Sequence, residues 1–405
     1  MLESGFSMSY RPIASASPSG ADRKRFDAVP LLDLSRQYGA IRDEVLAAIE
    51  RVCSRQRFIL GAEAEALEHE LAAFTGATAA VACASGTDAL WLALTAIGVR
   101  PGDRVITTPF SFFASASQIA RTGARPVFVD IAPDSFNISP LEVHARLRSQ
   151  IGLRFAAILP VHLYGQCADM DSLRNIAEQF RLPIVEDAAQ AIGATWKNLG
   201  AGSLGIAAAF SFYPTKNLSA YGDAGLVTTR DEEIRERMRR LRNHGSPKRY
   251  YHDELGINSR MDEIQAAVLR VKLPYLPRWN AQRQEHAATY DRLFADAGLN
   301  AQGSSSPVHL PYRDPNAGHI FHQYVIRTAR REELRSFLAE RKIGTEIYYP
   351  LPLHLQVSFD HLGYAAGDFP EAERAAREVL ALPIFPELTE DEQGWVVDSI
   401  ADFYS

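Results

Sequence analysis

Cysteine is scarce in this chain: Cys53, Cys83 and Cys167 are the only three in 405 residues, and none forms a Cys-x-x-Cys pair. An odd, widely spaced set excludes a disulfide framework and a structural zinc site, and it fits a reducing, cytoplasmic compartment. No apolar run approaches the roughly 20 residues that a membrane helix needs. A basic surplus is missing too. Lys and Arg number 43 against 49 Asp and Glu, a net charge of −6, so nothing is set aside to neutralise nucleic-acid phosphates. The most basic stretch, residues 235–249, is offset by Asp231, Glu232, Glu233 and Glu236 and reads as a solvated helix face. Residues 1–28 are rich in Ser, Ala and Pro but lack the apolar segment of a secretory signal, and they read as a flexible leader.

From residue 79 onward, short apolar runs alternate with helical periods. Strands are predicted at 79–84, 105–108, 125–130, 155–161 and 183–187, and helices at 87–97, 114–121, 140–148 and 170–180. Two more strands, 207–212 and 225–229, follow with no helix between them, which points to an antiparallel member. Repeated β-α-β units with continuous apolar strands mean an α/β fold: a mostly parallel mixed sheet sandwiched by helices. After Met261 comes a long helical stretch, 262–297, interrupted by Pro274 and Pro277. A Gly/Ser/Pro segment (303–307), a strand at 324–328 and helices at 331–341 and 391–404 complete the chain. The expected organisation is a leader (1–28), a large domain (29–275) and a smaller C-terminal α+β domain (276–405).

Several polar residues fall at predicted strand ends. Gly86 and Thr87 stand where a strand turns into a helix; the amides of a first helical turn and a hydroxyl suit a phosphate, and Ser85-Gly-Thr is equally an ordinary N-cap. Phe112 can stack on a planar ring or join the core. Asp187 lies beside Glu186, and alternation along a strand sends the two carboxylates to opposite faces. Asp187 can therefore face a cationic ring, or serve as a helix cap or surface acid. Lys216 sits between Phe210, Phe212 and Tyr213 on one side and Gly222 and Gly225 on the other. Most lysines are solvated, but this apolar, tightly turned setting makes the charge costly and lowers its pKa. Ser211 adds a hydroxyl. Ligands of open α/β sheets sit outside the carboxyl ends of the strands, so one pocket can collect these groups. A lysine and an aspartate in one pocket are what pyridoxal 5'-phosphate requires: the amine holds the aldehyde as a Schiff base, and the carboxylate keeps a proton on the ring nitrogen.

Longer stretches surround these residues: Phe58-Ile-Leu-Gly, Ala84-Ser-Gly-Thr-Asp-Ala-Leu, Pro160-Val-His-Leu-Tyr-Gly, Val185-Glu-Asp-Ala-Ala-Gln, Ser211-Phe-Tyr-Pro-Thr-Lys-Asn-Leu, Tyr221-Gly-Asp-Ala-Gly, Asn258-Ser-Arg-Met-Asp-Glu-Ile-Gln-Ala-Ala and Tyr349-Pro-Leu-Pro-Leu-His. Together they resemble the DegT/DnrJ family of pyridoxal phosphate-dependent sugar aminotransferases, from about residue 29 to the C-terminus. The resemblance implies the aspartate aminotransferase-like fold (fold type I), with Lys216 and Asp187 as catalytic residues. It implies that Phe112 stacks on one ring face, that Gln190 lies near the other face or the ring hydroxyl, and that Gly86, Thr87 and Ser211 hold the phosphate. Asn258 would reach the phosphate of the neighbouring subunit, making the active unit a homodimer. His162 and Tyr164 would lie near the cofactor. Ala224 stands where the family commonly has a glycine, and Gln190 where many relatives carry histidine. Relatives that deoxygenate sugars carry histidine in place of the lysine, so Lys216 implies transamination.

The implied reaction passes an amino group from L-glutamate to a nucleotide-linked keto sugar, without a metal. Tyr164-Gly-Gln-Cys-Ala-Asp-Met and Arg249-Tyr-Tyr-His resemble the branch that aminates C3 more than the C4 branch. A keto-cyclitol (inosose-type) aminotransferase would share every cofactor residue. A sugar dehydratase is disfavoured by Lys216, and a non-catalytic sensor or scaffold by Lys216 and Asp187 together. His309, Arg313, Arg260, Lys248 and His354 are candidates to meet the substrate's phosphates.

Overall fold

The computed structural model describes residues 26–150, 152–299 and 306–405. Most of the expected leader and part of the 303–307 segment lie outside the described residues. Two helices that sequence periodicity left unmarked come first. Helix α1 (Leu34–Arg55) is capped by Asp33 and buries Ile41, Val45, Ala48 and Val52 on one stripe; α2 (Ala62–Thr75) follows.

Seven strands then build the central sheet: β1 (Ala79–Cys83), β2 (Arg104–Thr107), β3 (Arg125–Phe128), β4 (Phe155–Ile158), β5 (Val185–Asp187), β6 (Ala207–Ser211) and β7 (Gly225–Thr229). Parallel ladders join β3 to β2, β2 to β4 and β5 to β6. The parallel bridges Ile158–Ile184 and Val161–Asp187 carry the sheet from β4 to β5. Strand β7 runs antiparallel to both β6 and β1, so the order is β3-β2-β4-β5-β6-β7-β1. A parallel return needs a crossover, usually helical. Residues 212–224 supply no helix, and β7 comes back antiparallel. Strands β1 and β7 are buried along their full length, as a covered sheet demands.

The crossovers are α3 (Gly86–Ala96), α4 (Ala114–Arg121), α5 (Pro140–Ser149) and α6 (Met170–Phe180). Ser85, Ser139 and Asp169 cap three of them, accepting from the amides of Asp88, Glu142 and Ser172. The basic stretch begins in α7 (Glu232–Leu241), where Arg235 pairs with Glu232 and Glu236 near the surface. The solvated reading fails at Arg242. This residue is buried, pairs with Glu68 and donates to the Ala82 carbonyl of β1 at 2.7 Å, because the end of α7 packs on the sheet edge.

Helix α8 (Glu263–Lys272) leads through a tight turn at Pro274 into α9 (Leu276–Asp296), with Pro277 in the first turn of α9, where its missing N–H costs nothing. Beyond it, β8 (Tyr324–Arg327) pairs antiparallel with β9 (Val379–Leu382), flanked by α10 (Arg331–Glu340), α11 (Pro370–Glu378) and α12 (Glu390–Tyr404). One apolar cluster runs from β1 and α3 into β8, β9 and α12. Among the described residues, no helix is long and apolar enough to cross a membrane.

Helix α2 has no side-chain cap of its own. The buried Glu263 carboxylate, from the start of α8, accepts instead from the amides of Gly61 (2.8 Å), Glu63 (2.9 Å) and Ala64 (3.1 Å). Its negative charge also sits at the positive end of the α2 dipole. Glu263→Ala is expected to cost about 3 kcal/mol in urea denaturation, more than a single neutral hydrogen bond contributes. Glu263→Gln, which keeps one acceptor oxygen, should fall between. A loss below about 1 kcal/mol for the alanine variant would show that water replaces the carboxylate.

Candidate active site

The strand register gathers the site. Ser211 and Cys83 both pair with Gly225, so the carboxyl ends of β6 and β1 meet the start of β7. The turn from β1 into α3 presses on this junction. A Cβ on Gly225 would lie 2.3 Å from the Ser85 carbonyl, and one on Gly86 would lie 2.5 Å from the Ser211 Cβ. Only glycine fits at either place. As a result Gly86, at the amino end of α3, packs against Ser211, and Thr87 follows it in the first turn of the helix.

Asp187 closes β5, next to β6. It is 4% exposed; its Oδ2 accepts from Ser115 Oγ of α4 at 2.7 Å and its Oδ1 from the Ala189 amide at 3.2 Å. Burial pushes its carboxyl up, against those two bonds and the nearby charge of Lys216. Lys216 lies in the loop after β6, where its amide donates to the Tyr213 carbonyl. Burial lowers its amine to about 8, and the charge of Asp187 opposes that fall. Each group thus biases the charge of the other.

Glu186 points the other way, as strand alternation requires. Its carboxylate is fully buried and accepts from the amides of Gly202 (2.8 Å), Leu204 (2.8 Å) and Gly205 (2.7 Å) and from His162 Nε2 (3.0 Å). His162 Nδ1 accepts from the Ala168 amide, so Nε2 carries the proton. His162 is therefore behind β5, tied to Glu186. Tyr164, held at φ 57°, donates its amide to Gln190 Oε1 at 2.7 Å. Gln190 Nε2 donates to the Tyr349 hydroxyl at 3.2 Å, and the Tyr349 ring lies 6.2 Å from that of Phe112, which is 56% exposed. Gln190, Tyr349 and Phe112 thus form a connected wall.

Asn258 is not brought into this pocket within one chain. It is exposed and lines a separate cleft of about 320 Å³ with Ile59, Ala84, Asp223, Arg260 and Gln265. Its neighbour Ser259 bonds the Ala84 amide and Asp88, at the turn that carries Gly86. Of the phosphate candidates, His354 is buried against Glu373, and Arg313 pairs with Asp291. Sequence reasoning missed Ser115, which had no signal beyond its place in a helix after a strand. It also gave Tyr349 no role, although the residue opens a quoted motif. Among the described residues, no group of three His, Cys, Asp or Glu side chains could hold a metal ion.

The sequence profile of the DegT/DnrJ/EryC1/StrS aminotransferase family matches residues 40–401. A pleiotropic regulatory protein of Geobacillus stearothermophilus is 51% identical over 93% of this chain and 98% of its own. A dTDP-3-amino-3,4,6-trideoxy-alpha-D-glucose transaminase of Streptomyces venezuelae is 44% identical, over 95% and 98%. A UDP-N-acetyl-3-dehydro-alpha-D-glucosamine 3-aminotransferase of Acidithiobacillus ferrooxidans is 43% identical, over 90% and 95%. Among solved structures, DesV of S. venezuelae in complex with a ketimine intermediate superposes with a TM-score of 0.88 at 44% identity, over 93% of this chain and 98% of that one. The chain belongs to the DegT/DnrJ/EryC1/StrS aminotransferase family and has its fold. It is a transaminase that uses pyridoxal phosphate.

The pocket fits that cofactor on its own chemistry: an amine near neutrality, a buried carboxylate that a cation would relieve, and a glycine-lined helix start. In the apoprotein, arylation of Lys216 by trinitrobenzenesulfonate should rise with pH through a midpoint near 8, not the ordinary 10.5. Asp187→Asn should move the midpoint lower still, because burial then acts unopposed. Peptide mapping of the labelled protein gives both midpoints; an unchanged midpoint in the variant would mean that the two groups do not interact.

Proposed function

We propose that this chain transfers the amino group of L-glutamate to C3 of a nucleotide-linked 3-keto sugar in amino-sugar biosynthesis, as a homodimer whose active sites are shared between subunits. The observation that carries this reading is the buried Asp187 carboxylate at the end of β5, held by Ser115 and the Ala189 amide, beside the strand whose following loop holds Lys216. The 3-amino and 3-dehydro sugars in the names of two relatives support C3, in agreement with the Tyr164–Met170 and Arg249–His252 segments. A purely regulatory protein, as the name of the Geobacillus relative suggests, needs neither a near-neutral lysine nor a carboxylate held against it.

Pyridoxal phosphate, when bound, supplies a ring that withdraws electrons from the carbon bearing the transferred nitrogen. Asp187 is disfavoured as a buried anion unless a cation adjoins it, so it would hold a proton on the ring nitrogen. Ser115 and the Ala189 amide fix its two oxygens for that task. Lys216, near neutrality at about 8, would take the donor's α-proton as general base and return it to the acceptor carbon. Gly86, Thr87 and Ser211 would hold the phosphate at the start of α3. Phe112 and Gln190 would line the ring, with Gln190 oriented by Tyr164 and Tyr349. Asn258, exposed in its own cleft, would reach the phosphate site of the other protomer.

A panel of 3-keto and 4-keto nucleotide sugars, each supplied with glutamate and followed by product mass, tests the assignment. Amination of 3-keto sugars is expected. Turnover of an inosose alone would replace the sugar reading with the cyclitol one. Asp187→Ala should lower kcat by at least ~100-fold, the scale of losing one aligned charge in an active site. Asn258→Ala should weaken cofactor retention on gel filtration, and a stable, active monomer would refute the shared site.

A further inference from the structure

Residue 217, next to Lys216, belongs to a buried polar chain that the cofactor residues do not include. Asn217 Nδ2 donates to Asn280 Oδ1 of α9 at 2.8 Å, and Asn280 Nδ2 donates to the Ile192 carbonyl at 3.1 Å. On its other side, Asn217 Oδ1 lies 3.0 Å from His322 Nδ1. All three side chains are buried, between 5% and 7% exposed.

The direction of every bond follows from its last member. A backbone carbonyl only accepts, so Asn280 turns its NH2 to Ile192 and its oxygen to Asn217. Asn217 must then donate to Asn280 and offer its own oxygen to His322. His322 therefore carries its proton on Nδ1. Burial, reinforced by the charges of Lys216 and Arg283, holds the imidazole well below its ordinary pKa, so it is neutral and Nε2 bears a lone pair.

The anchors are rigid. Arg283, one turn beyond Asn280 on α9, donates to the carbonyls of Phe321 (3.1 Å), His322 (3.3 Å) and Ile384 (3.0 Å). Gly193, next to Ile192, leaves no room for a Cβ, which would meet Asn280 Nδ2 at 2.6 Å. The chain thus spans from the loop that follows Asp187 and Gln190 to the loop that holds Lys216, through α9 and the segment before β8.

We propose that His322 is a positioning residue for Lys216: by donating from Nδ1 to Asn217, it fixes the side chain adjacent to the lysine and so the placement of the amine toward Asp187. This rests on Lys216 as the cofactor-bearing residue. His322→Phe keeps the ring and removes the donor, whereas His322→Asn puts an N–H where Nδ1 stood. The experiment loads each holoenzyme with pyridoxal phosphate and follows release of the cofactor by hydroxylamine from the visible absorbance, with glutamate and keto-sugar kinetics alongside. For His322→Phe, release should be about tenfold faster and kcat about tenfold lower, the scale of one buried hydrogen bond, with the sugar KM unchanged. His322→Asn should return both towards wild type. Wild-type behaviour of His322→Phe, or an asparagine variant no better than the phenylalanine one, would overturn the proposal. If His322→Phe does not fold, His322→Gln, whose amide reaches the Nε2 position and not Nδ1, takes its place with the same outcomes. A wild-type protein that takes up no cofactor would instead refute the functional reading on which the proposal stands.

Discussion

A buried carboxylate at the end of β5 and a partly buried amine in the loop after the adjacent β6, each unfavourable alone, bias one another's charge. Burial pushes Asp187 towards its neutral acid and Lys216 towards its neutral amine; the Ser115 and Ala189 hydrogen bonds and the charge of Lys216 oppose the first shift, and the charge of Asp187 opposes the second. Such a pair contributes little stability by itself, since desolvation offsets much of the Coulomb gain. Its persistence is better explained by chemistry: an amine poised near neutrality and a carboxylate in need of a cation. The fold arranges the rest around this tension.

The two faces of β5 show the contrast. Behind the strand, Glu186 is saturated by three amides and His162, so its charge is spent on holding the loop at 202–205. In front, Asp187 has one hydroxyl and one long amide contact, which leaves capacity for a ligand. The antiparallel return of β7 matters equally. It brings Gly225 under the β1–α3 turn, and that close approach sets Gly86 against Ser211.

Much of this was legible in the chain. Continuous apolar strands separated by amphipathic helices gave the sheet, and the missing helix between 212 and 224 marked the antiparallel strand. Alternation at Glu186 and Asp187 sent the two acids to opposite faces, and the family resemblance pointed to Asp187 as the forward one. What stayed hidden depends on tertiary partners. Helices α1 and α2 went unmarked, and α2 takes its cap from Glu263, two hundred residues later in the chain. Arg242 sits in a basic run yet is buried by a single acid, Glu68, and a carbonyl of β1. Ser115 carries no local signature, and Tyr349 opens a motif that names no role for it; each gains its meaning from Asp187 or Gln190 across the fold.

The most direct test of the account is the site of covalent attachment. Borohydride reduction of the cofactor-loaded protein, followed by digestion and mass spectrometry, should place the reduced pyridoxyl group on the peptide that carries Lys216, and Lys216→Ala should abolish it. A pyridoxyl group on any other lysine, or undiminished labelling of the alanine variant, would contradict the account.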